Sequence, residues 1–187
     1  MEVEVTAEAK GKLLNRMVAV TVVALSVFMG VSNIKDGNLV QAMQVAKADA
    51  VDTWGEYQAT RTKLHIAESA LAQDRLLAAA APKVALAAET SRLTTAITKY
   101  EQESKDLTAK AKGLEADYDA MNVHDDQFDA SEALLSIAVS LAAVAALAET
   151  PWVLFTGWAF GAFGLLMGVA GFAKWGLHPD FLSSWLG

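Results

Sequence analysis

The chain has 187 residues, a net charge of −7 and no cysteine, and 53% of its residues are hydrophobic. The acidic balance argues against a nucleic-acid partner, because phosphate binding needs clustered Lys and Arg. The absence of cysteine excludes disulfides, Fe–S clusters and thiolate catalysis. The hydrophobic residues are concentrated in uncharged stretches at 17–34, 133–148 and 150–173, and a charged stretch separates the first from the other two. This distribution predicts an all-α membrane protein with three transmembrane helices.

The N-terminal residues 1–16 form a polar arm of mixed charge, and residues 17–34 are the first predicted span (TM1). A secretory signal peptide is the alternative, with Lys10, Lys12 and Arg16 as its basic region. Against it, the uncharged stretch exceeds a usual signal core, and no A-x-A-like cleavage site follows. We therefore favour a retained membrane anchor.

Residues 35–130 carry a seven-residue apolar repeat in two helical halves, with a predicted tip near 80–83 where Pro82 disfavours a continuing helix. In the first half the repeat consists of Met43, Ala50, Tyr57, Leu64 and Leu71. In the second half it consists of Leu86, Leu93, Tyr100, Leu107, Leu114, Met121 and Phe128, with Ile97 among the intermediate sites. A 3.5-residue apolar period is typical of a coiled coil. We predict a long antiparallel coiled-coil hairpin outside the membrane.

The hairpin seam contains many Ala, Ser and Thr residues, so a single pair of helices would bury little apolar surface. The simplest interpretation is a hairpin that only folds back on itself and contacts no other chain. We favour packing against neighbouring copies, which would bury more of each helix.

Two further spans are predicted at 131–149 (TM2) and 151–173 (TM3), followed by an interfacial C-terminal tail at 174–187. Glu149-Thr150-Pro151 is expected to form the tight turn between the spans, since proline suits a first helical turn. TM3 carries glycines at intervals of 4, 3, 4 and 3: Gly157, Gly161, Gly164, Gly168 and Gly171. Such a stripe favours close helix packing, within or between subunits. A pore face or a lipid-binding groove is the alternative.

The segment that leads into TM2 is acidic and contains His124, Asp125, Asp129 and Glu132. We interpret it as a solvated collar without a metal, in which Asp129 or Ser131 could cap a new helix. In a continuous helix the three carboxylates would share one face, and an oligomer could then assemble a cation site from these residues.

No catalytic motif is present, such as H-E-x-x-H, a Walker sequence or G-x-S-x-G, so we predict neither an enzyme nor a cofactor. The uncharged stretches of the predicted spans, at 17–34, 133–148 and 150–173, contain no ionisable residue, which argues against proton-coupled pumping. Because Lys10, Lys12 and Arg16 flank TM1, the positive-inside rule favours the arm inside and the hairpin outside.

Two motifs together resemble the uncharacterised bacterial membrane-protein family DUF4337. The first is Trp54-Gly-Glu-Tyr-Gln-Ala59 followed by Lys63, and the second is His124-x-x-x-Phe128-x-x-x-Glu132-Ala-Leu-Leu-x-Ile-Ala138. The likeness covers most of the chain and implies a bacterial membrane protein without an established activity. Family members often have basic residues at the turn between the last two spans. Glu149-Thr150-Pro151 replaces them here, which removes the family's support for placing this turn inside.

We therefore expect a multi-pass protein of the bacterial inner membrane with a periplasmic hairpin. Its expected function is structural: it would scaffold a homo-oligomer through the coiled coil and the glycine-striped span. An oligomeric channel, or an accessory subunit of a larger membrane complex, is the alternative.

Overall fold

The computed structural model describes residues 2–77 and 83–177, with side chains at 11–77 and 86–177. Within these ranges three helices form: α1 (Glu2–Leu77), α2 (Lys83–Leu147) and α3 (Pro151–Ala173). Each contains an 18-residue window of high mean hydropathy, 2.1 in α1, 1.9 in α2 and 1.8 in α3. The predictions of an all-α protein and of three helices long and apolar enough to cross a membrane are thus confirmed.

Helix α1 continues without a break from the predicted arm through TM1 and into the polar stretch. Its sequence has no proline, so no backbone N–H is missing from its hydrogen-bond ladder. Helix α2 likewise runs through the acidic collar, so the structure has the continuous-helix alternative and neither Asp129 nor Ser131 begins a new helix. Of the predicted hairpin tip, residues 80–82 lie outside the described residues, and Lys83 is the first residue of α2.

The turn between α2 and α3 follows the predicted Glu149-Thr150-Pro151 pattern. Glu149 adopts a left-handed φ of 51°, Thr150 is extended, and Pro151 occupies the first helical turn. The backbone N–H of Thr150 donates to the carbonyl oxygen of Ala145 at 3.0 Å. At its other end α3 stops at Lys174, which has a φ of 53°. Of the predicted tail, residues 178–187 lie outside the described residues.

The chain divides into two compact units: an apolar unit (Met1–Ala42 with Ala120–Gly187) and a polar unit (Met43–Asp119). In the apolar unit, segments of all three helices share a core. One cluster joins Leu14 and Val18 of α1 with Ala142 and Ala145 of α2 and with Val153 and Leu154 of α3. A second cluster contains Leu25, Leu135 and Ala138. A hydrogen bond also links α3 to α1, in which the Trp158 indole N–H donates to Thr21 Oγ1 at 2.9 Å.

The glycine stripe of α3 is buried against the chain's own α1 and α2. All five of its glycines are buried, namely Gly157, Gly161, Gly164, Gly168 and Gly171. A Cβ atom at Gly164 would lie 2.8 Å from the Leu135 side chain, and one at Gly168 would lie 2.5 Å from the Phe28 ring. The helices approach this closely only because the glycines carry no side chain. The glycine face is therefore covered by α1 and α2 of the same chain.

In the polar unit, the predicted seam is the buried face of α1 and α2. On α1 its buried members are Met43, Ala46, Ala50, Thr53, Thr60, Leu64, Ala67 and Leu71. On α2, Leu93, Ser104 and Ala111 are buried, while Leu86, Ile97, Tyr100, Leu107 and Leu114 are half-buried. Ala67 and Leu71 pack with Leu93 in one hydrophobic cluster. The seven-residue period thus identifies the residues that face inward.

Candidate functional site

A layer of carboxyl side chains forms in the apolar unit where α1 and α2 leave the predicted spans. Asp36 lies two residues beyond TM1, and Asp125 lies six residues before TM2. Their carboxyl groups face each other between the two helices, within hydrogen-bonding reach. The Oδ1 atom of each is buried and has no hydrogen-bond donor. We call Asp36 and Asp125 the carboxyl pair.

Burial and neighbouring negative charge both favour the protonated form of this pair. Burial, followed by the charges of Asp125 and Asp129, raises the pKa of Asp36 from 3.8 to about 6. The pKa of Asp125 is also raised, chiefly by burial, although the hydrogen bond from Asp36 opposes that shift.

Asp129 and Glu132 extend the layer along α2, and both side chains are exposed. Loss of solvent, followed by repulsion from Asp125, raises the pKa of Asp129. Across the described ranges 2–77 and 83–177, no group of three or more His, Asp or Glu side chains is arranged to hold a metal ion. His124, Asp125, Asp129 and Glu132 thus belong to no such group in these ranges. Asp125 instead faces Asp36 of the other helix.

Beside the carboxyl pair, Gln127 connects α2 to the segment that follows α3. Its side chain is fully buried, and its amide nitrogen donates to the backbone carbonyl oxygens of Trp175, at 2.8 Å, and of Leu177. Its Oε1 atom lies 3.1 Å from Nδ1 of His124. Since these contacts satisfy the donors and the acceptor of the amide, Gln127 fixes the start of the C-terminal segment against α2.

An aromatic cluster lies close to the carboxyl layer on the side of the spans. The Phe172 ring contacts Phe128 edge-on at 5.2 Å and Phe28 at 6.2 Å, so one ring from each helix takes part. Two buried hydroxyls lie near these rings in sequence, on Ser32 and Ser131, and neither has a hydrogen-bond partner in the structure. The carboxyl pair therefore lies next to a closely packed aromatic region.

Sequence reasoning identified Asp125 but missed Asp36 and Gln127. Asp36 follows Lys35 in a helix, and adjacent opposite charges usually indicate a solvated surface. A usable signal was present: a chain that leaves the membrane after TM1 and returns before TM2 brings the ends of these two spans together. An acid at each end is then a candidate pair. Nothing in the sequence distinguishes Gln127 from an exposed glutamine.

The polar unit contains a small aromatic cavity of about 250 Å³ on α1 and α2. The indole N–H of Trp54 donates to Glu115 Oε1 at 2.8 Å, and Lys47 Nζ lies 5.7 Å from the centre of the Tyr118 ring. Trp54 also contacts Tyr57 edge-on at 5.4 Å. Trp54, which lies off the predicted seam, thus has partners within its own chain.

Comparison with known proteins returns one family and no individual relative. The family model described as "Domain of unknown function (DUF4337)" matches residues 14–174, which include the carboxyl pair, the aromatic cluster and all three predicted spans. No curated protein and no solved structure matches the chain. The resemblance expected from the two sequence motifs is confirmed, and the chain belongs to the DUF4337 family.

Proposed function

We propose that this chain is a structural membrane protein whose three spans anchor an antiparallel coiled-coil hairpin and that it assembles as a homo-oligomer. The observation that carries the proposal is the buried seam of the polar unit. Its residues follow a seven-residue period on both helices, and a buried seam of this period is the packing pattern of a coiled coil.

Three contacts support antiparallel pairing of α1 and α2 in the polar unit. Leu71 packs with Leu93, Trp54 bonds to Glu115, and Lys47 lies over Tyr118. As the residue number falls along α1, the partner's number rises along α2, which is the order expected of a hairpin. At 1.5 Å per residue, residues 43–77 would form a helix about 50 Å long.

Two features of the polar unit support association between copies. Small seam residues such as Ala46, Ala50 and Thr53 leave a single pair of helices with little buried apolar surface. Large apolar side chains also point away from the seam, and Val45, Val51 and Ile66 are 56%, 65% and 65% exposed. Neighbouring hairpins would cover these side chains and add to the buried area.

Native mass spectrometry of protein extracted gently from its own membrane tests the proposal. We expect a mass at an integer multiple of 19.9 kDa. The double substitution Val51→Glu and Ile66→Glu should dissociate the oligomer, because it places charge in the proposed contact. Gln58→Glu, at another exposed position of α1, is the matched control and should leave the mass unchanged.

A monomeric wild-type chain would contradict self-assembly. An additional stoichiometric mass would instead favour an accessory subunit that holds a different membrane protein. We further propose that the hairpin lies outside the bacterial inner membrane, since Lys12 and Arg16 precede TM1. A cysteine introduced at Gln58 should then react with an impermeant maleimide in intact spheroplasts. It would be the only thiol in the sequence, since the natural chain has no cysteine.

A further inference from the structure

If both members of the carboxyl pair were ionised, neither could donate a hydrogen bond to the other. Ionised carboxylates are acceptors only, so two of them cannot hydrogen-bond to each other. Asp36 and Asp125 nevertheless lie within hydrogen-bonding reach of each other, and each has a buried oxygen, Oδ1, without a donor. One shared proton provides the missing donor. Without that proton, two negative charges face each other in a partly buried site.

We propose that Asp36 and Asp125 share one proton that holds α1 against α2 beside the membrane, and that this junction opens when the proton is lost. The protein would then respond to the pH of the compartment in which the junction lies. The response is a change in helix spacing within the apolar unit and goes beyond the structural role proposed above.

The neighbouring carboxylates on α2 all favour the protonated form of the pair. On α2, Asp129 and Glu132 repel the ionised form of Asp36, and Asp126 repels Asp125 and Asp129. His124 on α2 contacts Gln127. These carboxylates make loss of the shared proton costly and move it toward neutral pH, consistent with the pKa of about 6 at Asp36.

The other elements contribute little negative charge to the pair. On α1, Asp36 is flanked by Lys35, whose side chain is exposed. Helix α3 has no charged residue between Pro151 and Ala173 and contributes the Phe172 ring to the neighbouring aromatic cluster. The aromatic cluster of Phe28, Phe128 and Phe172 has no titratable group, so it would hold the helices together on the span side at every pH. Opening would therefore be confined to the carboxyl layer.

Distances between two spin labels test this proposal directly. The chain has no cysteine, so Asn38→Cys and Ala120→Cys place labels at exposed positions of α1 and α2 beside the pair without removing a native thiol. Double electron–electron resonance would be recorded on the full-length protein in lipid nanodiscs, from about pH 4.5 to about pH 8, which brackets the titration of raised carboxyls. We expect a short, narrow distance at low pH and a longer or broader one at high pH, reversibly and with a midpoint near pH 6.

Isosteric variants separate the shared proton from other causes. Asp36→Asn and Asp125→Asn each supply a permanent amide donor, so each should keep the short distance at every pH. Asp117→Asn, at an exposed position of the polar unit, is the matched control and should retain the wild-type midpoint. Asp129→Asn removes a repelling charge and should lower the midpoint.

A wild-type distance independent of pH, or an unchanged pH response in both Asp36→Asn and Asp125→Asn, would overturn the proposal. Repeating the titration with millimolar Mg²⁺ and with a chelator distinguishes a proton from a cation. An unchanged profile supports the proton. A short distance at high pH that appears with Mg²⁺ and disappears with the chelator would assign the junction to a cation and overturn the proton-sharing proposal.

Discussion

The side-chain amide of Gln127 donates a hydrogen bond of 2.8 Å to the backbone carbonyl oxygen of Trp175, 48 residues further along the chain. The same amide also donates to the carbonyl oxygen of Leu177, and both acceptors follow the end of α3. A fully buried side chain on α2 thus determines where the chain goes after its last span. This contact and the carboxyl pair lie within three residues of each other on α2.

We predict that Gln127→Leu will release the segment that follows α3. The change removes the donor to the carbonyl oxygens of Trp175 and Leu177, and a typical intramolecular hydrogen bond contributes about 0.5–1.5 kcal/mol. Limited proteolysis with trypsin measures the effect, since Lys174 lies at the start of the segment. Cleavage after Lys174 should be faster in the variant. Gln41→Leu, at an exposed position, is the control, and equal cleavage rates in the two variants would contradict the prediction.

We predict that Gly168→Ala will destabilise the apolar unit. Its new methyl group would lie 2.5 Å from the Phe28 ring and 2.8 Å from Ser131 Oγ, so these side chains or the helices that carry them must shift. Overpacking of this kind typically costs about 1–3 kcal/mol. The apparent melting temperature of the purified protein in detergent, followed by tryptophan fluorescence, should fall.

Gly30→Ala provides the matched control for this substitution. It lies in the same predicted TM1 as Phe28, and a methyl group at this position would have no neighbour within 4 Å. Because alanine favours a helix more than glycine does, the melting temperature should be unchanged or slightly raised. A decrease of similar size in both variants would show that close packing at Gly168 is not the cause.

How far the sequence predicts this structure depends on the kind of residue. The bounds of α3 follow from Pro151 and from the uncharged stretch behind it, and the glycine spacing identifies its buried face. What covers that face could not be predicted, because Phe28 lies 140 residues before Gly168 and glycine periodicity does not specify a partner. The seam of the polar unit was predicted because burial there repeats every seven residues along one helix.

The carboxyl layer shows the limit of the same approach. Periodicity placed Asp125, Asp129 and Glu132 on one helix face and left open a cation site between copies. The structure instead pairs Asp125 with Asp36, which belongs to a different helix and to no periodic pattern. Pairing of polar groups between helices depends on tertiary register, and one sequence contains little direct information about it.

We predict a small loss of stability when Thr21→Val removes the acceptor of the Trp158 indole N–H. The substitution keeps the side-chain shape, and hydrogen bonds between membrane helices are worth about 0.6 kcal/mol on average. A double-mutant cycle with Trp158→Phe, followed by thermal unfolding in detergent, isolates this interaction. Strictly additive effects of the two substitutions would show that the bond contributes nothing measurable.

We predict that the protein becomes less stable as the pH rises from about 4 to about 6. A carboxyl whose pKa is raised by folding binds its proton more tightly in the folded chain. Between the ordinary value of 3.8 and the value of about 6 at Asp36, the folded state therefore holds more protons than the unfolded state. The free energy of unfolding then falls with rising pH, so this stabilisation is fully present below about 3.8 and is lost above about 6. Asp125 and Asp129 act in the same direction, since folding raises both of their pKa values.

Thermal unfolding at a series of pH values checks this prediction against the behaviour of the other carboxylates. Asp36→Asn removes the group with the shifted pKa, so the variant should lose less stability than the wild type as the pH rises through this window. Its melting temperature should therefore rise relative to that of the wild type. Asp117→Asn should run parallel to the wild type, because its side chain is exposed and belongs to the polar unit. If Asp36→Asn also ran parallel to the wild type, Asp36 would not hold a proton in the folded protein at these pH values. The carboxyl pair would then be a repulsive contact stabilised by its surroundings.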